Sequence, residues 1–206
     1  MNLDKTDSII FDFGGVLINI DYNATVDAFK KLGLECFEEM YSKAAQSNLF
    51  DDFEVGQISQ QRFINGLLSY LPSGTTPNQV VQAWNAMILD VPSKAIQLLD
   101  DLKTQGKTIY LLSNTNEIHI PLAYSRWGKV SAQTPKEIFT KIYLSHEIMQ
   151  RKPHTSTFEY VITDAKLDAS RTLFIDDSIQ HIEGARQAGL EVYHLDKQED
   201  LYSLFS

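Results

Sequence analysis

The stretch Ile9–Leu17, Ile-Ile-Phe-Asp-Phe-Gly-Gly-Val-Leu, constrains the fold of this chain more than any other. A short apolar run rich in Ile and Phe and closed by two glycines suits a strand buried on both faces, as at the centre of a parallel sheet. Asp12 then falls at the carboxyl end of that strand, the edge where open α/β sheets place their ligands. Gly14 and Gly15 let the backbone turn sharply and come close to whatever the carboxylate faces. The same letters also fit a plain turn that caps the next element. Signals further along the chain decide between the two.

After this strand the pattern is helical until about residue 90. Val26, Phe29 and Leu32 form one apolar stripe, and Phe63, Leu67 and Leu71 a second. Thr76-Pro77 opens a third helix, whose stripe runs through Val80, Val81, Trp84, Met87 and Ile88. Stripes at this spacing read as the inside of a small helical bundle. From residue 92 strands and helices alternate. Strands are expected at Lys107–Leu112, Lys141–Leu144, Arg171–Ile175 and Glu191–Leu195, with helices at Pro92–Leu102, Pro153–Ala165 and Ile179–Ala188. Such alternation implies right-handed crossovers and a parallel sheet. The expected fold is a three-layer, Rossmann-like α/β core with five parallel strands, interrupted after its first strand by a helical insert. The expected division is residues 1–20 and 90–206 for the core and 21–89 for the insert.

Three further segments carry chemistry. The strand ending at Leu112 runs into Ser113-Asn114, a hydroxyl beside free backbone N–H groups that suits an anion; either residue could equally be a simple helix N-cap. Lys152, just before an expected helix start at Pro153, stands where the helix dipole disfavours a cation. A bound phosphate would give it a reason to be there. Asp176-Asp177 ends another buried strand, and adjacent carboxylates repel one another unless a cation lies near them. Few hard oxygen ligands, with room left for water and phosphate, match Mg²⁺. In chain order Asp12, Ser113, Lys152 and Asp176-Asp177 describe a phosphate-and-metal site.

The 206 residues carry a net charge of −9, with a pI of about 5.0. That balance argues against nucleic acid or an anionic membrane as a partner, but not against a small anion held by a metal or a lysine. Cys36 is the only cysteine, so no internal disulfide forms; it reads as a small core side chain. The N-terminal residues from Met1 to Lys5 show no secretory pattern, and the chain is expected to be cytoplasmic.

Together the segments Phe-Asp-Phe-Gly-Gly-Val, Leu-Leu-Ser-Asn, Arg-Lys-Pro and Phe-Ile-Asp-Asp-Ser resemble the four motifs of the haloacid dehalogenase-like superfamily. The helical insert is similar to the cap of its C1-capped phosphohydrolases. The wording is most similar to small sugar-phosphate phosphatases, including the bacterial α-glucose-1-phosphate phosphatase branch. The resemblance implies that Asp12 is the nucleophile, forming an aspartyl-phosphate that water hydrolyses. It implies Mg²⁺ held by Asp12, the Gly14 carbonyl and Asp177, with Asp176 as neighbour or additional ligand. Ser113, the Asn114 backbone and Lys152 would hold the phosphoryl oxygens of a small phosphorylated metabolite.

Two departures stand out. Gly14 occupies the position where most such phosphatases carry an Asp as general acid, a function typically worth about 10²–10⁴ in rate. The expected consequence is a preference for good leaving groups, anomeric 1-phosphates or acyl phosphates, unless the insert or Asp21-Tyr22 supplies the proton. His181 replaces an Asp or Asn of relatives; it reads either as a surface residue or as a hydrogen-bonding support for a carboxylate. The alternatives are a metal-independent 2-haloacid dehalogenase, which the Asp176-Asp177 pair opposes, and a catalytically weak phosphate-binding or interaction protein, for which Gly14 speaks. A phosphohexomutase is disfavoured by the same glycine. Oligomeric state is left open.

Overall fold

The computed structural model describes residues 5–34, 37, 48–196 and 201–205. Cys36 and residues 1–4 lie outside them, so the readings made on those residues stay sequence expectations. Five parallel strands form one sheet: β1 (Ser8–Phe11), β2 (Thr108–Ser113), β3 (Lys141–Leu144), β4 (Thr172–Asp176) and β5 (Glu191–His194). Their order in space is β3-β2-β1-β4-β5. The chain runs outward from β1 to β3 and then returns to place β4 on the other side of β1. The strand order therefore reverses between β1 and β4, and the crevice at their carboxyl ends is the natural ligand site of such a sheet.

All four residues of β1 are buried, as a central parallel strand requires. Alternation then sorts the side chains onto two faces. Ile9, Phe11, Ile109, Leu111, Leu173 and Ile175 pack on one side with Leu99, Leu102 and Trp127. Ile10, Tyr110, Leu112 and Phe174 pack on the other with Phe158, Val161 and Ile182. These partners come from helices Ser93–Thr104 and His119–Trp127 on the first face, and Thr155–Ala165 and Ile179–Gln187 on the second. Burying each large apolar side chain contributes about 1.5–3 kcal/mol, so the sheet and its helices form one rigid platform.

Between β1 and β2 lie helices Tyr22–Lys31, Leu49–Glu54, Gln60–Leu68 and Pro77–Asn85. Their apolar faces share a separate cluster containing Phe29, Phe53, Phe63, Leu67 and Val80. The rings of Phe53 and Phe63 stack at 4.1 Å. Thr76 caps its helix as expected, in a reciprocal box with Gln79 and with Pro77 in the first turn. The chain enters and leaves this helical unit through two paired linkers: Asn19 N–H donates to Asp90 O at 2.8 Å, and Leu89 N–H to Asn19 O at 3.0 Å.

The strands shift by one residue or so from their expected bounds, which is ordinary for element ends. The segment around Pro153 differs more. Pro153 does not sit in the first turn of a helix; the helix begins at Thr155 with His154 as its N-cap, and Lys152-Pro153 is a cis peptide in the preceding turn. Pro92 likewise precedes its helix as the N-cap residue. Tertiary packing explains the turn at Pro153: Gly184 leaves so little room that a Cβ there would lie 2.0 Å from the Pro153 carbonyl oxygen. Helix Ile179–Gln187 thus presses directly on the backbone next to Lys152. Gly184→Ala is expected to destabilise the protein by about 1–3 kcal/mol through overpacking, measured by urea denaturation, and to lower activity by displacing Lys152.

Candidate active site

Asp12 follows β1 directly, and its N–H continues the ladder to Ile175 O at 2.9 Å, which fixes the carboxylate above the sheet edge. Asp176 is the last residue of the neighbouring strand β4. Lys152 reaches between them, with Nζ 2.7 Å from Asp12 Oδ1 and 2.6 Å from Asp176 Oδ2. Its side chain is 0% exposed. The turn carrying Lys152 is clamped by one side chain: Asn114 Nδ2 donates to Lys152 O at 2.8 Å, and Lys152 N–H donates to Asn114 Oδ1 at 3.0 Å. Thr157 Oγ1 donates to Arg151 O at 2.8 Å from the other end. Buried Ser113 lies at the end of β2, beside these groups.

The electrostatics separate the two buried carboxylates. Burial pushes the Asp12 carboxyl up to about 7, with Asp176 adding to the rise and Lys152 opposing it. Burial would also raise Asp176, but Lys152 and His181 outweigh it and hold that carboxyl at about 2. Burial works against the Lys152 ammonium, yet the two carboxylates keep its pKa above the ordinary value. Asp176 is saturated with donors: Lys152, the Ser178 N–H at 2.8 Å and His181 Nδ1 at 2.8 Å. His181 is thus a hydrogen-bonding support for Asp176 and not a solvated surface residue. Its position four residues beyond Asp177 was the only sequence signal for that role.

Asp177 is in a different state. Burial and the neighbouring Asp176 both raise its carboxyl. The carboxylate lies over Gly15, where a Cβ would come within 2.3 Å of Asp177 Oδ2 and where the backbone has φ +77°. Gly15 is therefore needed twice, for its left-handed conformation and for the room it leaves to Asp177. Asp12, Asp177 and the Gly14 carbonyl are hard oxygen donors of the kind Mg²⁺ takes. Asp12, Asp176 and His181 also converge within 4.8 Å, but Lys152 already fills the space between Asp12 and Asp176.

Above these groups, between the sheet edge and the helical unit, is a cavity of about 330 Å³. Gly14, Ser113 and Asn114 form its floor, and Phe50, Phe53 and Trp84 its apolar wall. Its polar contributors include Tyr22, Asp51, Glu54 and Arg151. Most of this wall has no signature in the sequence. Trp84 belongs to an apolar stripe, but its ring also stacks on His119, with centroids 5.1 Å apart. His119 is buried and pushed down to about 4, so it is neutral, and its ring nitrogens contact Trp84 O and Asn116 Nδ2. Asn116, and neither Ser113 nor Asn114, caps the following helix by accepting from the Ile118 and His119 N–H groups. Ser113 and the Asn114 backbone are thus not consumed by capping. Arg151 came only as the first letter of the Arg-Lys-Pro motif, and no local pattern marked Glu54; the docking of the helical unit brings Glu54 against Arg151 of the core.

The family pattern described as haloacid dehalogenase-like hydrolase matches residues 9–195. A D-ribitol-5-phosphate phosphatase of Bacteroides thetaiotaomicron is 30% identical over 193 residues, covering 94% of this chain and 93% of that protein. A solved structure of a family enzyme from the same organism, in complex with magnesium and inorganic phosphate, superposes with a TM-score of 0.90. The two share 32% identity, over 98% of this chain and 100% of that one. An L-2-haloacid dehalogenase from Xanthobacter autotrophicus, 17% identical with a TM-score of 0.60 over 92% of this chain and 77% of its own, shares the fold. The chain belongs to the haloacid dehalogenase-like hydrolase family. Within that family it is a phosphoric monoester hydrolase.

The raised Asp12 carboxyl has a consequence for stability. A carboxyl whose folded pKa lies above its unfolded value destabilises the fold as it ionises, so stability is lost as pH rises from about 4 to about 7. Metal-free protein is expected to melt at progressively lower temperature across that window. Asp12→Asn should flatten this dependence, and added Mg²⁺ should restore the midpoint at pH 8 in the parent protein, both read by thermal denaturation.

Proposed function

We propose that this protein is a Mg²⁺-dependent phosphatase of a small phosphorylated sugar or polyol, working through an aspartyl-phosphate on Asp12. The observation that carries the reading is the buried Asp12–Lys152–Asp176 chain at the strand-order reversal, with Ser113 at the end of β2 and the Asp177 carboxylate over Gly15. The magnesium and phosphate bound by the 32% identical family enzyme support the same chemistry. The D-ribitol-5-phosphate specificity of the 30% identical relative supports the substrate class.

Asp12, the Gly14 carbonyl and Asp177 would hold the metal. When bound, it neutralises phosphoryl oxygens and lowers Asp12's carboxyl so that the nucleophile is ionised. Asp12 attacks phosphorus, and water later cleaves the acyl phosphate. Lys152, the Ser113 hydroxyl and the Asn114 backbone N–H hold the phosphoryl oxygens, where positioning and charge neutralisation do most of the catalysis. Asp176 orients Lys152, and His181 in turn orients Asp176. The helical unit acts as the cap: its aromatic wall suits the C–H face of a carbohydrate, and the enclosed volume suits a small metabolite rather than a protein.

Gly14 offers no proton to the leaving group, so, unless another group of the cavity supplies one, anomeric 1-phosphates, which need the least help, are expected to turn over faster than 5- or 6-phosphates. The test is a panel of sugar and polyol phosphates assayed for released phosphate. Activity is expected with Mg²⁺, to be lost with EDTA, and to fall at least about 10³-fold in Asp12→Asn. Turnover that persists in Asp12→Asn or in EDTA would sink the reading.

A further inference from the structure

Position 14 carries no acid, and a Cβ there would stand 3.2 Å from Ile20 Cγ1, so that side chain would have to shift by a few tenths of an ångström to admit one. The ionisable groups of the cavity are therefore the place to look for a proton donor. Among the described residues lining it these are Tyr22, Asp51, Glu54, His119 and Arg151. His119 is neutral, and both its ring nitrogens are engaged. Asp51 is exposed and bound to Arg151. Tyr22 stands at the mouth, 66% exposed, where water competes for any proton it would hold.

Glu54 is held differently. It is the last residue of helix Leu49–Glu54, and its carbonyl oxygen lies 2.6 Å from Ser145 Oγ. The same hydroxyl accepts from the Thr115 N–H at 2.9 Å, one residue beyond Asn114. One serine thus fastens the backbone of Glu54 to the loop that holds the phosphoryl group. Two residues on, Gly56 lies so close to the core that a Cβ would stand 2.2 Å from the His146 carbonyl oxygen. The Glu54 carboxyl faces the cavity with Arg151 Nε 2.9 Å away. Burial raises it above the ordinary glutamate range; Arg151 and Lys152 oppose this and Asp51 assists.

We infer that Glu54 is the general acid of this enzyme, supplying from the cap the proton that Gly14 cannot. This rests on the phosphatase reading above. As Asp12 attacks, the P–O bond to the leaving group breaks and its electron pair passes to the ester oxygen. Glu54 gives its carboxyl proton to that oxygen and becomes a carboxylate paired with Arg151, which stabilises the charge formed. In the second half, water attacks phosphorus, its proton goes to Glu54, and the bond to Asp12 breaks. Both carboxyl groups then return to their starting states.

The test compares phosphoenzyme formation from ribitol 5-phosphate and from p-nitrophenyl phosphate in rapid-quench experiments with Mg²⁺. Nitrophenolate leaves without a proton, whereas the alkoxide needs one. In Glu54→Gln, phosphorylation by the alkyl ester is expected to fall about 10²-fold or more, and phosphorylation by the nitrophenyl ester less than about 3-fold. The phosphoenzyme from the nitrophenyl ester should then accumulate, because the attacking water has lost its base. Equal losses on both esters, or no loss on either, would overturn the assignment, as would a leaving-group-selective loss in Tyr22→Phe with Glu54→Gln unaffected. Failure of the parent enzyme to phosphorylate with either ester would instead remove the phosphatase reading itself.

Discussion

A single buried ammonium organises this molecule. Lys152 stands without solvent between two carboxylates from adjacent strands, and 5.4 Å from the ring of Phe174. Removing three charges from water is costly, and Coulomb attraction repays it only when the geometry is good and the remaining hydrogen bonds are satisfied. The fold meets both conditions. Two parallel strands in fixed register carry Asp12 and Asp176, while Asn114 clamps the turn that delivers the lysine. Taking away one partner would leave an uncompensated buried charge, so the three groups are interdependent.

That arrangement explains the division of labour at the sheet edge. Asp176 has its charge satisfied by Lys152, His181 and a backbone N–H, and is spent on positioning. Asp12 and Asp177 keep surplus negative charge, and that surplus is what a divalent cation would relieve. Two adjacent aspartates thus differ in role because of what surrounds each one. The helical unit adds the complementary half: an aromatic wall, and the Glu54 carboxyl, held against the core's Arg151 by the close approach at Gly56 and the Ser145 hydroxyl.

The strand-and-helix alternation was readable because burial imposes period 2 on strands and 3.6 on helices. Asp12, Ser113 and Asp176-Asp177 were legible for a related reason: each follows an apolar run whose end is the ligand-binding edge. The turn at Pro153 was misread as a helix start because a local Pro signal is outweighed by the pressure of Gly184 on that backbone. His181 was undervalued because a histidine early in a helix has no period to announce its partner, which lies across the strand end.

The sequence alone determined the class of sheet, the order of the chemical groups along its edge and the presence of a helical insert, since these follow from local pattern and short-range turn chemistry. Only the tertiary structure decided which carboxylate serves the lysine and which is left with surplus charge. It alone brought Glu54, Trp84 and Arg151 around one cavity with Ser113 and Asn114. Those relations join residues from 24 to 140 positions apart in the chain, and no periodicity records a contact made when separately packed elements meet.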